Sequence, residues 1–430
     1  MKRKIANDLE KWKASSGRMP LIIHGARQVG KTYSALYFGK EQYKNTAYFN
    51  LEDSVELSNI FERDLNPDRI IKELSAKSGQ SILKGDTLII FDEIQACERA
   101  LTSLKYFCEN APEYHIIAAG SLLGVAVNRE KYSFPVGKVN MITLYPLDFE
   151  EYLWALGKEQ IAGLVHTCYD NNEPLSIHDT AMDLYRSYIL TGGMPQAVME
   201  YLRESDYNFV MAAQKNINSA YIADMAKYAT PNETAKIMAA FNSIPSQLAK
   251  DNKKFQYKII KSGARAYEFE TPLDWLRASG AIIKCHKVTE GKLPLSAYSD
   301  STSFKVYMTD TGLLCSRFGI PANAILVDMP GFEGFKGALA ENYVAAALTS
   351  NGYTPYYWES QGKAEVDFVI QDNEGNIIPI EVKSADNVRS KSLNQYIAKY
   401  GPKYSVRISA RNFGFENGIK SVPLYAVFCI

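Results

Sequence analysis

The residues with the clearest chemistry lie in the segment Gly25–Thr32, which has the form Gly-x-x-x-x-Gly-Lys-Thr. A short apolar run, Pro20–Ile23, precedes it, and a helical pattern begins at Thr32. Strand, glycine loop and helix in this order are the context of a phosphate-binding P-loop. The glycines allow a tight turn in which backbone N–H groups can approach a polyphosphate. The predicted nucleotide-binding residues are Gly25, Ala26, Arg27, Gln28, Val29, Gly30, Lys31 and Thr32.

Two side chains at the end of this segment have predicted roles. Lys31 can reach the outer phosphates, and the hydroxyl of Thr32 is placed to ligate Mg²⁺. The helix that follows adds the positive end of its dipole. The alternative is a glycine-rich turn that carries a lysine by chance, and the six spaced residues with their strand–helix context argue against it. We therefore predict that the chain binds ATP together with Mg²⁺.

A second acidic motif complements the P-loop. Leu88–Glu93 has the form of a Walker B strand, in which Asp92 would hold Mg²⁺ directly or through water. Glu93 is then placed to orient or deprotonate the attacking water, which favours hydrolysis over nucleotide binding alone. The alternative is an ordinary buried strand that ends in an acidic loop. The presence of a P-loop in the same chain argues against this alternative. Ser121, after the next strand, is predicted either to sense the γ-phosphate or to cap a helix.

A further set of charged residues lies near the C-terminus. Glu341 sits on an otherwise apolar helical stripe, so its charge is not expected to face solvent. Asp367 lies in one predicted strand, and Glu381 and Lys383 share a face of the next. If these groups converge, the three carboxylates could hold a divalent metal beside a lysine. Asp367 and Glu381 are the predicted metal ligands.

This order of helix, strand, turn and strand resembles the PD-(D/E)xK nuclease superfamily. The resemblance implies that a metal activates water for phosphodiester attack and that Lys383 positions this water. A strict match would have proline before Asp367, where this chain has Val366. A Glu-x-Lys motif alone is weak, because Glu290–Lys292 repeats it in a predicted loop. A hairpin with a charged face, and a nuclease fold that only binds, remain as alternatives.

The strands and helices that must position the P-loop and Asp92 are predicted to form an α/β domain. Short apolar strands at Thr46–Asn50, Thr87–Phe91 and His115–Ala119 alternate with helical patterns such as Ala100–Glu109. Continuous apolar strands separated by helices indicate a parallel sheet covered on both faces. Ligands of such sheets bind at the carboxyl ends of the strands, where the acidic and polar residues occur here.

Five motifs together resemble a large prokaryotic family of AAA-type P-loop ATPases fused to a C-terminal domain of uncharacterised function. They are Gly25–Thr32, Asp92–Gln95, Ala119–Val125, Phe134–Val139 and Leu144–Leu147. The resemblance covers essentially the whole chain. It implies that the strand ending at Ser121 lies between the P-loop strand and the Asp92 strand. If the protein forms homo-oligomeric rings, an arginine would reach a neighbour's γ-phosphate, and Arg99 and Arg129 are the candidates.

We predict four parts in the chain. They are a P-loop AAA-type ATPase domain (1–145), a helical lid (146–229), a winged-helix-like module (230–318) and an α/β restriction-endonuclease-like domain (319–430). The second part is helical from Phe149 to Tyr228, with a break at Gly192–Pro195. In the third, Thr271 is predicted to cap a helix that begins at Pro272, before two strands.

Charge and composition limit the partners. Lys plus Arg equals Asp plus Glu, 48 each, so any contact with nucleic acid must use a local patch. The basic stretch Lys250–Arg265 is the candidate, and solvated lysines are the alternative. No apolar stretch is long enough for a membrane span, and the six cysteines have no metal-ligand spacing. A cytoplasmic location with free thiols is expected.

These predictions leave two functions open. In the first, the protein is an enzyme that couples ATP hydrolysis to nucleic-acid handling or cleavage through its nuclease-like domain. In the second, it is an ATP-driven conformational switch whose C-terminal modules bind DNA or protein without cleavage.

Overall fold

The computed structural model of the protein describes residues 1–121, 134–250, 252–326, 333–360, 364–384 and 391–430. The chain forms two compact units. Unit 1 contains residues 1–145 and 278–280, and unit 2 contains residues 146–277 and 281–430. Leu122–Val125 of one sequence motif and the arginine candidate Arg129 lie outside the described residues.

Unit 1 is built on a parallel five-stranded sheet in the order β2-β3-β4-β1-β5. The strand β4, which ends before Ser121, lies between β1 and β3, as the family resemblance implied. The strands are β1 (Leu21–His24), β2 (Asn45–Asn50), β3 (Thr87–Asp92), β4 (His115–Gly120) and β5 (Asn140–Thr143). The described helices are α1 (Ile5–Ala14), α2 (Lys31–Gln42), α3 (Val55–Arg63), α4 (Pro67–Ser78) and α5 (Glu98–Asn110).

The strands of this sheet form because both of their faces are covered. Every residue of β3 and β4 is buried, as expected for continuous apolar strands between two helical layers. On one face, Phe61 of α3 and Phe107 of α5 pack in the same core as Phe91 of β3. This rigid sheet brings the carboxyl ends of its strands to one edge.

The first part of unit 2 is helical, as predicted. Its helices are α6 (Phe149–Ala155), α7 (Glu159–Asn171), α8 (His178–Thr191), α9 (Pro195–Glu204), α10 (Tyr207–Tyr228), α11 (Pro231–Leu248), α12 (Tyr257–Ile260) and α13 (Ala266–Ala278). The predicted break lies between α8 and α9. There the backbone N–H of Gly193 donates to Asp310, and a Cβ on Gly193 would lie 1.9 Å from the carbonyl oxygen of Leu147.

The predicted start of the helix at Pro272 is wrong. α13 begins at Ala266 and carries Pro272 in its interior. Proline lacks the N–H that would bond one turn back, so the helix continues at the cost of a hydrogen bond. Phe269, Leu273 and Leu276 are buried on one face of α13, and this apolar packing extends the helix on both sides of Pro272.

The second part of unit 2 contains a mixed eight-stranded sheet in the order β12-β13-β11-β10-β9-β8-β6-β7. Its strands are β6 (Ile282–Val288), β7 (Ser299–Met308), β8 (Tyr356–Ser360), β9 (Ala364–Gln371), β10 (Ile377–Val382), β11 (Ser405–Ser409), β12 (Gly414–Glu416) and β13 (Ile419–Pro423). The described helices around it are α14 (Thr311–Phe318), α15 (Ala322–Leu326), α16 (Glu333–Ser350) and α17 (Lys391–Tyr400).

The β6–β7 hairpin, predicted as the ribbon of a winged-helix-like module, is continuous with this sheet. β6 pairs with β7 in antiparallel fashion and with β8 in parallel fashion. The predicted boundary after residue 318 therefore falls between strands of one sheet.

The six cysteines are free thiols. In the described part of the chain, no helix is both long enough and apolar enough to cross a membrane.

Candidate functional site

The P-loop connects β1 to α2 in a conformation that requires its glycines. Gly25 has φ +143°, and a Cβ there would lie 2.1 Å from the carbonyl oxygen of Leu144. Gly30 has φ +95° and caps the N-terminus of α2. Gln28 also has a positive φ, +63°, which is uncommon for a residue with a side chain. The loop is therefore held in a tight turn before the helix begins.

Lys31 and Thr32 begin α2 and face different partners. The ammonium of Lys31 donates to the carbonyl oxygens of Gly25 (3.0 Å) and Ala26 (2.8 Å). The hydroxyl of Thr32 donates to Oδ2 of Asp92 at 2.8 Å. A hydroxyl and a carboxylate are both oxygen ligands of the kind that Mg²⁺ prefers. The two predicted Mg²⁺ ligands therefore lie side by side, although they are 60 positions apart in the chain.

Asp92 is held by two further donors. The Tyr48 hydroxyl donates to Oδ2 at 2.9 Å, and the backbone N–H of Glu93 donates to Oδ1 at 3.0 Å. Burial and the hydrogen bond to Asp92 raise the pKa of Tyr48. Sequence reasoning missed Tyr48, although the strand that carries it was predicted. Tyr48 lies opposite Ile90 in the parallel pairing of β2 and β3, two residues before Asp92. A prediction that β2 and β3 are neighbours would therefore have placed Tyr48 close to Asp92.

Glu93 follows directly after β3 in a strained conformation. Its φ is +48°, in the left-handed region, and it caps a short 3₁₀ helix at Ile94–Ala96. Its carboxylate accepts a hydrogen bond from the side-chain amide of Gln95. Such backbone strain costs about 1–3 kcal/mol and persists where the surroundings demand it, often at active sites.

Ser121 lies one residue beyond β4 and is buried. β4 is paired with β1 so that Gly120 lies opposite His24, the residue before the P-loop. Ser121 is thus at the same edge of the sheet as the P-loop. This position is compatible with a γ-phosphate contact and with a helix cap, so both predictions for Ser121 stay open.

Arg3 supports the P-loop, and sequence reasoning missed it. Its guanidinium donates to the carbonyl oxygens of Val29 (2.9 Å) and Tyr145 (2.7 Å), and its side chain is buried. A planar guanidinium can hold two acceptors in a fixed geometry. No local motif marks Arg3, because its acceptors are 26 and 142 residues away in the chain.

The predicted C-terminal residues are also brought together. The β9–β10 register sets Ile380 opposite Phe368, so Asp367 and Glu381 are neighbours across the two strands. Asp367 accepts a hydrogen bond from the Val382 N–H at 2.8 Å, and Lys383 lies 2.7 Å from Glu381. The second carboxylate oxygen of Glu381 is buried and has no hydrogen-bond partner among the residues that the structure describes.

Two lysines that were not predicted to belong to this cluster neutralise part of its negative charge. Lys253 forms an ion pair with Glu341, and both side chains are largely buried. Lys305, which is 1% exposed, lies 2.5 Å from Glu365 and 3.9 Å from Glu341. Lys253 belongs to the basic stretch Lys250–Arg265, for which a phosphate contact or a solvated surface was expected. Neither applies to Lys253, because Glu341 is its partner.

Burial and neighbouring charges shift the pKa values of the carboxyl groups in this cluster. Burial, followed by the negative charges of Glu341 and Glu381, raises the pKa of Asp367 to about 8. For Glu341, burial also raises the pKa, but the positive charges of Lys253 and Lys305 outweigh burial, so that the pKa is lowered. Nearby opposite charge favours the ionised form, and nearby like charge disfavours it. Burial and like charge therefore favour the protonated form of Asp367, whereas the nearby ammonium groups favour the ionised form of Glu341.

The carboxylates do not form a ready metal site. Within the residues that the structure describes, no group of three or more His, Cys, Asp or Glu side chains is arranged to hold a metal ion. Lysine ammonium groups lie against Glu341 and Glu381, where a metal would have to bind.

Three segments of the chain match three known protein families. Residues 17–153 match a family described as AAA domain. Residues 182–324 and 336–427 match two families that are each described as a domain of unknown function, DUF8612 and DUF4143. A search of curated proteins gave no match.

Several solved structures are similar to this chain at low identity. The Walker-type ATPase PABY2304 of Pyrococcus abyssi has a TM-score of 0.45 and 14% identity, over 74% of this chain and 95% of that one. The ORC2 protein of Aeropyrum pernix, in ADPNP–ADP complexes, has a TM-score of 0.37 and 12% identity, over 79% and 92%. The RuvB Holliday junction branch migration motor of Thermotoga maritima has a TM-score of 0.31 and 13% identity, over 68% and 88%.

The family match and the loop geometry agree on the N-terminal segment. The matched residues 17–153 contain the P-loop, the Asp92 strand and the strand that lies between them. Residues 17–153 of this protein are therefore similar to AAA domains.

Proposed function

We propose that the P-loop domain binds ATP with Mg²⁺ and hydrolyses it. The observation that carries this proposal is the 2.8 Å hydrogen bond between the Thr32 hydroxyl and Asp92 Oδ2. Two oxygen ligands, one in the first turn of α2 and one at the end of β3, fit a Mg²⁺ ion bound beside the phosphates. The turn at Gly25, which a Cβ would block, fits the close approach of backbone to phosphate.

Each residue of the P-loop site has a separate proposed role in ATP binding or hydrolysis. The N–H groups of Gly25–Thr32 and the Lys31 ammonium bind the phosphates and compensate their charge. Thr32 and Asp92 hold the Mg²⁺, which withdraws charge from the phosphates when bound. Glu93 orients a water molecule and accepts its proton as the water oxygen attacks the γ-phosphorus and the bond to ADP breaks. Ser121 donates a hydrogen bond to the γ-phosphate.

Paired substitutions at Thr32 test this proposal. Thr32→Val removes the hydroxyl and keeps the shape, whereas Thr32→Ser keeps the hydroxyl. We expect Thr32→Val to lose most Mg²⁺-dependent phosphate release and Thr32→Ser to retain it. Full turnover by Thr32→Val would remove Thr32 from the metal site.

We infer a second function for unit 2, the metal-dependent cleavage of a phosphodiester. Two observations favour it. Asp367, Glu381 and Lys383 lie together, with Glu341 within electrostatic range. In the described part of the chain, one buried oxygen of Glu381 has no hydrogen-bond partner. Asp367 and Glu381 would hold the cation. Lys383 would position a water molecule whose oxygen attacks phosphorus as the P–O bond to the leaving strand breaks.

A matched pair of lysines tests cleavage. Lys383→Met should abolish nicking of a plasmid by the purified protein with Mn²⁺, and Asp367→Asn should do the same. Lys292→Met alters the other Glu-x-Lys motif, in which Lys292 lies 3.6 Å from Glu290, and should nick at the wild-type rate. If wild-type protein binds Mn²⁺ without nicking DNA, unit 2 is a binding module of an ATP-driven switch.

We propose that residues 146–229 act as the lid of the ATPase and that residues 230–318 act as a winged-helix-like module which shares its hairpin with the C-terminal sheet. Its exposed basic residues are the proposed contact with a nucleic-acid backbone. They are Lys250, Lys258, Lys261 and Arg265. Assembly into a homo-oligomer and a cytoplasmic location remain part of this proposal.

A further inference from the structure

A thiol, an imidazole and a carboxylate form a chain of contacts in unit 2. They belong to Cys429 of the 3₁₀ helix Leu424–Cys429, His166 of α7 and Glu150 of α6. The Sγ of Cys429 lies 3.5 Å from Nδ1 of His166, and Nε2 of the same ring lies 2.9 Å from Oε1 of Glu150. The imidazole is therefore in hydrogen-bond contact with a thiol on one side and a carboxylate on the other.

The carboxylate determines which nitrogen of His166 carries the proton. An ionised carboxylate only accepts hydrogen bonds, so Nε2 of the neutral ring carries the proton that it donates to Glu150. Nδ1 then presents its lone pair to the thiol of Cys429. Glu150 is itself fixed, because its side chain is 11% exposed and it lies in the first turn of α6. A thiol beside a base that a third group orients is the arrangement of an activated nucleophile.

Aromatic packing holds the imidazole while leaving it accessible. The ring of Phe428 meets the ring of His166 edge to face, with centroids 5.1 Å apart. Phe428 is buried and packs in turn on Phe149 of α6, at 6.1 Å. The side chain of His166 is nevertheless 43% exposed, and Cys429 is partly exposed. The pair is thus fixed from inside the protein and open to small molecules from solvent.

The charges that face Cys429 favour its ionised form. The ammonium of Lys420, on β13, lies 3.4 Å from the centre of the Tyr169 ring and within electrostatic range of Cys429. Burial lowers the pKa of Lys420, while negative charge on Asp170 and on Cys429 acts in the opposite direction. The phenols of Tyr169 and Tyr343 also face Cys429, and burial raises the pKa of both, so they stay neutral. An ammonium and an imidazolium beside a thiol stabilise the thiolate.

The other thiols lie in a different setting. Cys108 and Cys168 are partly exposed like Cys429, but burial raises the pKa of each. Cys168 is a close comparison, because it lies two residues from His166 on the same helix. Within the described ranges, the hydrogen bond between a thiol and an imidazole occurs at Cys429. The buried thiols are Cys97, Cys285 and Cys315.

We propose that Cys429 is a modification site, a nucleophilic thiol that His166 activates and that small peroxides oxidise to a sulfenic acid. The thiol proton passes to Nδ1 of His166, and the sulfur then attacks one oxygen of the peroxide. An S–O bond forms as the O–O bond breaks, and the leaving oxygen takes the proton from the imidazolium. With hydrogen peroxide, sulfur is oxidised and the peroxide is reduced to water. Glu150 is a positioning residue, and the site is independent of the two proposed phosphate reactions.

The first test compares two thiols within one protein and needs no substitution. The full chain is treated with hydrogen peroxide, dimedone traps the sulfenic acid, and mass spectrometry of the peptides measures the labelled fraction at each cysteine. We expect Cys429 to be labelled at least about tenfold faster than Cys168, because the thiolate is the reacting form. Equal rates at Cys429 and Cys168 would overturn the proposal.

The second test removes the base. His166→Asn keeps an amide that can donate to Glu150, but the amide cannot take up a proton from a thiol. Labelling of Cys429 should then fall to the rate of Cys168, while the rate of Cys168 stays unchanged and reports that the fold is retained. Labelling of Cys429 at the wild-type rate in His166→Asn would overturn the activation by His166 and the proposal with it.

The third test measures the role of Glu150 through a pH profile. Iodoacetamide alkylates a thiolate as an S–C bond forms and iodide leaves. Cys429 should keep reacting as the pH is lowered from about 8 to about 6, whereas Cys168 should slow. Glu150→Gln removes the charge that stabilises the imidazolium, so the profile of Cys429 should move to higher pH. Glu159→Gln, an exposed position on α7, is the matched control and should leave the profile unchanged. An unmoved profile in Glu150→Gln would overturn the role of Glu150.

Discussion

Gly25 packs against the backbone of Leu144, so closely that a Cβ on Gly25 would lie 2.1 Å from the Leu144 carbonyl oxygen. The contact links the start of the P-loop to the residue after β5. Leu144 is held in turn, because its N–H donates to the carbonyl oxygen of His24 at 2.7 Å. The backbone that follows β5 therefore leaves no room for a side chain at Gly25, the first residue of the P-loop.

Substitution of Gly25 by alanine should displace the loop. The new methyl group meets backbone atoms that cannot move aside as a side chain would, and φ +143° is strained for alanine. We expect Gly25→Ala to weaken ATP binding at least about tenfold, as measured by calorimetry. Gly17→Ala is the control, because nothing lies within 4 Å of a Cβ there. Equal affinities of Gly25→Ala and Gly17→Ala would contradict the role of this contact.

Lys31→Ala should weaken ATP binding more directly. A charge-assisted hydrogen bond to phosphate is worth about 1.5–3 kcal/mol, so one lost contact corresponds to roughly a ten- to hundredfold loss of affinity. Calorimetry on the purified variant measures it. Lys40→Ala, on the last turn of the same helix, serves as the control. Unchanged affinity in Lys31→Ala would sink the assignment of the phosphate site.

Glu93→Gln should separate binding from hydrolysis. The amide keeps the size of the side chain but cannot accept a proton, so ATP affinity should persist while most phosphate release is lost. Asp92→Ala should harm both properties through the metal. Glu113→Gln is the control, since Glu113 precedes β4 at the other end of the sheet. Steady turnover by Glu93→Gln at the wild-type rate would exclude Glu93 as the base.

His115 should make the protein less stable in mild acid. Burial, and then the positive charges of Arg18 and Lys13, lower the pKa of His115 to about 4, and its Nδ1 lies 2.8 Å from the Tyr43 hydroxyl. The unfolded chain takes up this proton near pH 6.5, whereas the folded chain resists it. The contribution of His115 is thus complete above pH 6.5 and is lost as the pH falls towards 4.

Urea unfolding between pH 4.5 and 8 measures this effect. His115→Gln stays neutral and can still accept from Tyr43, so its unfolding free energy should fall less steeply below pH 6.5. Above pH 7 the difference between the two proteins should be constant. Parallel curves over the whole range would show that His115 does not titrate between the folded and unfolded states.

The sequence alone determined the local parts of this protein. The P-loop, the Asp92 strand and the Asp367–Lys383 hairpin were predictable because each lies in one short stretch, where glycine positions and apolar periodicity set the backbone. The break at Gly192–Pro195 was predictable for the same reason. The start of α13 was not, because buried apolar residues on both sides of Pro272 outweigh the local signal of the proline.

Only the tertiary structure decided which distant groups meet. Arg3 holds the P-loop carbonyl of Val29, Tyr48 joins Asp92, and Leu144 lies against Gly25. Likewise, a basic stretch that reads as a surface patch sends Lys253 to Glu341, 88 positions away. A buried charge needs a partner wherever the fold can bring one, and the distance along the chain plays no part in that choice. For this reason the types of the functional residues could be predicted from the sequence, while the residues that hold and neutralise them could not.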